Sequence, residues 1–240
     1  LCEGRSPENV VGLLNRYLEL QTKAIIDNGG DVDKFVGDEI MAMFDGPEKE
    51  INACRAGLAI RRAMAEEQEK ARADSSALIA VGIGINSGPV VFGSVGARDR
   101  KDFTSIGDTV NLAARLEGTN KIYGTKCLVS EAVYSRIAQH FVCREVDLIT
   151  VKGKTQPVRI YEVLQETHEA APKLLSMKAD FEKGLAYYRK RSWDRAQTAF
   201  ASCAQKYGDE ASSVFLGRIA LFRADPPPAG WDGVFKMTVK

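Results

Sequence analysis

Three short stretches hold the residues whose types and spacing suit chemistry. In DVDKFVGDEIMAMF (31–44), a Gly37-Asp38 turn joins two apolar runs, and Lys34 interrupts the first of them. Turn chemistry alone favours Gly-Asp there. A carboxylate at a hairpin tip with a cation on its stem also suits a divalent metal and a nucleotide, because Mg2+ takes hard oxygen ligands and phosphates. After DFTSIGDTV (102–110), Asn111 and Arg115 stand at i and i+4, which puts both on one face of a helix. Such pairs often meet only solvent. Here Leu112 and Leu116 supply the opposite apolar face, and an Asn and an Arg at one height suit a ribose and a phosphate. Lys152 and Lys154 flank Gly153. A charged turn and a phosphate clamp both fit that pattern.

Other signals do not survive inspection. Gly153-Lys154-Thr155 ends like a P-loop, but Leu148 stands where the pattern needs its first glycine. Gly82 and Gly84 begin a dinucleotide fingerprint, but Ser87 stands where the third glycine belongs. Inside a strand these glycines admit a closely packed helix instead. Tyr188 and Trp193 read as core aromatics of a helix pair.

Composition narrows the classes further. Lys plus Arg number 33 and Asp plus Glu 32, a net charge of +1 that offers no field for nucleic acid. His140 and His168 are too few for a histidine-rich zinc site. No apolar run approaches the roughly 20 residues that span a bilayer. The five cysteines are odd in number and lack a CxxC pair, which points to small core hydrophobes in a reducing cytoplasm.

These residues need a scaffold, and the apolar spacing supplies one. Ser6-Pro7 caps a first helix that stops at Asn28-Gly29-Gly30. Two strands lie within 31–44, a helix within 50–72 and a strand over 78–86, with 89–95 returning beside it. The fold class is α+β, a ferredoxin-like βαββαβ core whose first strand is expected before Leu1. A charged loop (96–102), a helix through 111–118, a strand-helix-strand stretch from 127 to 146 and two strands near 148–154 and 158–164 follow. The expected division is a catalytic domain over 1–164, a linker over 165–175, a helical extension over 176–223 and a tail over 224–240.

The stretches GGDVDKFVGDEIMAMF (29–44), VGIGINSGPVVFGSVGARDRKDFTSIGDTVNLAARLEG (81–118) and VKGK (151–154) together resemble the class III nucleotidyl cyclases. Order and spacing agree over roughly residues 1–165. The resemblance implies a cyclase that turns ATP into cyclic AMP and pyrophosphate. It implies two Mg2+ ions, with Mn2+ as a substitute, held by two aspartates. Asp38 matches the second aspartate, and the first would precede Leu1, so residues 1–240 alone are expected to turn over little ATP. Lys34 and Thr104 match the residues that read the purine, Asn111 the residue that orients the ribose, Arg115 the residue that stabilises the transition state, and Lys152 the cation that holds the terminal phosphates. The family builds its sites across a homodimer.

Thr104 departs from the Asp of many animal adenylyl cyclases. The Lys and Thr pairing resembles the subclass that responds to bicarbonate, which implies bicarbonate as an effector. A Lys donor suits the adenine ring nitrogen, and Thr can accept from the exocyclic amine; guanine reverses both. A guanylyl cyclase, a diguanylate cyclase (Val36-Gly37-Asp38-Glu39 echoes its loop) and an inactive regulatory module are the alternatives. The C-terminal helices resemble a single tetratricopeptide-like unit, which must pack on the core or on a protein partner. The PPPAGWDGVFKM ending resembles tails of bacterial cyclases whose cytoplasmic domain follows a membrane-anchored sensor.

Overall fold

The computed structural model describes residues 6–73, 79–98, 100–150 and 156–237. The fold is α+β, and the chain forms two compact units. One comprises Leu1–Val81 and Gly88–Val110; the other comprises Gly82–Ser87 and Asn111–Lys240.

In the first unit, helix α1 (Pro7–Asp27) starts as expected, with Ser6 accepting the Asn9 amide and Pro7 in its first turn. Its buried stripe of Tyr17, Gln21, Ala24 and Ile25 packs with α2 (Lys49–Ala73). Strands β1 (Asp31–Val36) and β2 (Glu39–Met43) make an antiparallel ribbon around a turn where Gly37 has φ +65°. Strands β4 (Val91–Ala97) and β5 (Arg100–Ile106) make a second ribbon. This corrects the sequence expectation, which set 89–95 beside 78–86 and read 96–102 as a loop. Pairing β4 with its immediate successor closes a short loop and satisfies both strands at little entropic cost. The earlier segment is a strand only over β3 (Ile83–Ile85), and it belongs to the other unit.

The second unit is built on a five-stranded sheet in the order β3, β6 (Cys127–Ser130), β8 (Val158–Glu166), β7 (Phe141–Thr150), β9 (Phe235–Lys236). The two outer pairings, β3 with β6 and β7 with β9, are parallel, and the inner ones are antiparallel. Helix α3 (Asp108–Tyr123) brings Leu112, Leu116 and Tyr123 into the core. The short α4 (Glu131–Ile137) connects β6 to β7. After β8, one 3-10 turn (Thr167–Glu169) precedes α5 (Pro172–Arg189), α6 (Trp193–Tyr207) and α7 (Glu210–Ala224). Phe181, Tyr188, Phe200 and Phe215 from these helices share one apolar core with Leu128, Val146, Ile149 and Ile160 of the sheet. Beyond α7, β9 pairs with β7 and Trp231 packs on Tyr188, Trp193 and Phe222.

Two buried ionic clusters run through this core. Arg144 on β7 donates Nε to Glu162 of β8 at 2.9 Å and Nη1 to Asp209 at 2.6 Å. Asp209 in turn caps α7 by accepting the Ser212 amide. Asp147, with none of its surface exposed, accepts from Tyr123, Arg218 and the Leu148 amide. Cys54, Cys127, Cys143 and Cys203 are buried thiols outside any disulfide, as small hydrophobes should be, and burial pushes the Cys143 thiol up to about 12. No described helix is long and apolar enough to cross a membrane.

Removing one partner of a buried ion pair strands the other charge. Arg144→Met should therefore cost about 3–5 kcal/mol in denaturant unfolding, because Glu162 and Asp209 both lose their cation. Replacing all three with apolar residues of similar volume should recover most of that loss. Equal midpoints for Arg144→Met and wild type would show that the cluster carries no stability.

Candidate functional site

The first unit gathers two of the expected residues around one that was not expected, Asp33. Val32 pairs with Ala42 but Lys34 pairs with Met41, so Asp33 is an extra residue, a β-bulge. A regular strand would send Asp33 and Lys34 to opposite faces. The bulge lets them approach, with Lys34 Nζ 3.8 Å from Asp33 Oδ2. On β5, Thr104 Oγ1 donates to the same oxygen at 3.1 Å. The Asp33 side chain is only 6% exposed, so both neighbours offset the cost of burying its charge. The next residue, Ser105, donates to Met43 Sδ and ties the two ribbons together. Asp38 sits exposed in the β1–β2 turn and makes no hydrogen bond or ion pair among the described residues.

The second unit carries Asn111 and Arg115 on α3. Asn111 is exposed and Arg115 half-buried, while Leu112 and Leu116, the residues that follow each of them, are sealed into the core. The guanidinium of Arg115 has no ion-pair partner among the described residues, so its donors are free for an anion. Gly84 explains how close α3 lies to β3. A Cβ there would come 2.1 Å from the Ala113 carbonyl oxygen and 2.3 Å from the Glu117 amide, both backbone atoms of α3. Asn120, lower on the helix, donates to the Ile83 carbonyl at 2.9 Å and to Leu116 at 3.1 Å. Those bonds hold α3 against the strand by its backbone, as expected of the glycines at 82 and 84.

The structure thus joins Lys34 and Thr104 through Asp33, places Asp38 on the same ribbon as Lys34, and sets Asn111 and Arg115 one turn apart on one helix. Lys152 lies outside the described residues. Asp33 escaped the sequence reading. Its signal was two consecutive polar residues in Val32-Asp33-Lys34-Phe35, which breaks the two-residue period and marks a bulge. Among the described residues no three His, Cys, Asp or Glu side chains form a metal cage. A cavity of about 410 Å3 beside α4, β7 and α5, lined by Tyr134, Phe141, Cys143 and Lys178, includes none of the expected site residues.

The pattern described as the adenylate and guanylate cyclase catalytic domain matches residues 1–165. This chain belongs to that cyclase family. The terminal-differentiation-specific adenylate cyclase of Dictyostelium discoideum is 34% identical over 220 residues, which cover 88% of this chain and 10% of that protein. That similarity runs on past the matched domain into the C-terminal helices. Adenylate cyclase 1 of Rhizobium meliloti is 37% identical over 168 residues, covering 68% of this chain and 25% of that protein. The chain therefore spans only a tenth and a quarter of these two curated relatives. The crystal structure of the adenylyl cyclase CyaB from P. aeruginosa superposes with a TM-score of 0.61 at 34% identity, covering 70% of this chain and 89% of that one.

Gly84→Ala should force α3 off β3, since the clash is with backbone rather than a flexible side chain. The expected cost is about 1–3 kcal/mol, the range for overpacking, read as a lowered unfolding midpoint. An unchanged midpoint would mean that α3 does not need this close approach.

Proposed function

We propose that this chain is the catalytic part of an adenylate cyclase, with Lys34 and Thr104 reading adenine. The observation that carries the choice of ATP is the hydrogen bond from Thr104 to Asp33. An ionised carboxylate only accepts, so it takes the hydroxyl hydrogen and leaves the Thr104 oxygen with lone pairs alone. That oxygen suits the exocyclic amine of adenine, and the Lys34 ammonium suits the ring-nitrogen acceptor beside it. Guanine presents an acceptor and a donor in the reverse order, and each mismatch leaves a polar group unpaired at about 1–3 kcal/mol.

The remaining roles follow the residues' chemistry. Asn111 orients the ribose by hydrogen bonding. The 3′-oxygen forms a bond to the α-phosphorus while the bond to the bridging oxygen breaks, and pyrophosphate leaves with that electron pair. Arg115 places its guanidinium against the negative charge that grows there. Lys152 holds the terminal phosphates. The free carboxylate of Asp38 is a hard oxygen donor that fits Mg2+, or Mn2+ in its place, with a second carboxylate completing the family's pair of ions. When bound, the metals lower the pKa of the 3′-hydroxyl and offset phosphate charge. The site is shared between two copies of the chain. Exposed Phe35, Val36, Val91, Phe92, Phe103 and Ile106 on the two ribbons support such an association.

In the full-length protein, Asp33→Asn should lower the ratio of kcat/KM for ATP over GTP by about tenfold, because an amide can donate to Thr104 and release its hydrogen. Lys34→Glu with Thr104→Cys should move the preference further toward GTP. Unchanged ratios in both variants would place purine reading elsewhere.

Subunit sharing has its own test. Asp38→Ala and Arg115→Ala homodimers should each be nearly inactive. Co-expressed, about half the dimers are mixed and each has one intact site of two, so activity should return to roughly a quarter of wild type. Cyclic AMP no higher than the sum of the separate variants, with mixed dimers confirmed, would put every catalytic group in one chain.

A further inference from the structure

Helix α3 ends in a buried cluster that the roles above leave unused. Tyr123, its last residue, is fully buried. Its hydroxyl donates to Asp147 Oδ2 at 2.5 Å and accepts from Arg218 Nη2 at 2.7 Å. Arg218 Nη1 donates to the same Asp147 oxygen, and the Leu148 amide satisfies the other. Burial beside the Asp147 carboxylate pushes the Tyr123 phenol well above its usual range, so it stays a donor. The three side chains come from α3, β7 and α7. The tail adds a fourth wall, with the Arg218 guanidinium 3.4 Å from the centre of the Phe235 ring. A second contact joins the same two helices. Gly124 has φ +66°, and a Cβ there would lie 2.3 Å from Cβ of Glu210, the first residue of α7. The end of α3 is thus seated on α7 by a left-handed glycine and locked by a charged triad.

That lock bears on Asn111 and Arg115 because a helix is stiff. Tyr123 lies eight residues from Arg115, about 12 Å along the axis at roughly 1.5 Å per residue. Turning α3 by about 10° would sweep a side-chain tip some 6 Å from the axis through about 1 Å. Productive sites need groups held to about 0.5 Å, and a misplacement of about 1 Å can cost a hundredfold in rate. The apolar contacts of Leu112 and Leu116 resist withdrawal of the helix, but they are not directional. The triad's hydrogen bonds are directional, and their carboxylate has no water to turn to.

We propose that Tyr123, Asp147 and Arg218 are positioning residues for the cyclase reaction, fixing through α3 the placement of Asn111 and Arg115. Helix α7 is then a working part of the catalytic unit although it follows the matched catalytic domain. This rests on the roles assigned to Asn111 and Arg115 above.

The test measures kcat and KM for ATP in the full-length protein, with circular dichroism melts to score folding. Tyr123→Phe is the decisive variant, because it removes one oxygen and leaves the Arg218–Asp147 pair intact. It should lower kcat about tenfold with KM within about twofold. Arg218→Met should lower kcat about a hundredfold, and Arg218→Lys should restore part of that loss. The effect should depend on Arg115. In an Arg115→Ala background, Tyr123→Phe should cost clearly less than in wild type, about threefold, since one of the two groups it places is gone. A loss of folded protein would instead act equally in both backgrounds. Wild-type kcat in folded Tyr123→Phe, or the same fold-loss in both backgrounds, overturns the proposal. A wild-type protein that makes no cyclic nucleotide from ATP or GTP overturns the reading of the site, and this proposal with it.

Discussion

A carboxylate sealed from water governs how the second unit is built. Asp147 has none of its surface exposed, and an unpaired charge in such a place is too costly to persist. Its oxygens must be met by donors, and the donors come from three separate segments. Arg144, three residues earlier on the same strand, repeats the arrangement with the charges exchanged, because a buried cation there requires Glu162 and Asp209. Strand β7 therefore dictates where β8, α3 and α7 lie. Apolar residues of equal volume could be as stabilising as these pairs. They would not fix direction, since apolar contact tolerates sliding while a hydrogen bond has an angle.

The first unit applies the same physics on a smaller scale, with a different result. Asp33 is also a carboxylate that must be met, and its partners are a cation and a hydroxyl on different strands. Meeting the charge fixes more than position: it decides which way the Thr104 hydroxyl points its hydrogen. A bulge of one residue makes this arrangement available, because it breaks the alternation that would keep Asp33 and Lys34 apart.

Local features of both units were legible in the sequence. The Ser6-Pro7 start of α1, the turn at Gly37-Asp38, the extent of α2, the presence of α3 (which runs past 111–118 at both ends), and the three C-terminal helices all follow from caps, turn residues and apolar spacing. Asn111 and Arg115 could be seen as a pair because i and i+4 always meet on a helix. Pairings across long distances were not legible. Nothing in the alternation of 78–86 says that its neighbour is 127–130, or that 91–97 chooses 100–106 instead. Asp147 and Arg218 look like ordinary surface charges on a strand and a helix, and only their partners' positions reveal them as core residues. The tail offered no strand to the sequence reading because the two residues of β9 carry no periodic signal.

The parallel pairing of β7 with β9 ties the sheet to the clock of protein synthesis. Ile149 and Thr150 find their outer neighbours only in Phe235 and Lys236. At about 5–20 residues per second, a ribosome needs several seconds to travel from one to the other. Throughout that interval the margin of β7 has no neighbour on that side, and the nascent sheet presents an open edge of the kind that recruits foreign strands. Strand β3 waits too, because its partner β6 is translated only after the whole β4–β5 ribbon of the other unit. The second unit is thus high in contact order, and its sheet cannot close until Phe235 and Lys236 have been made.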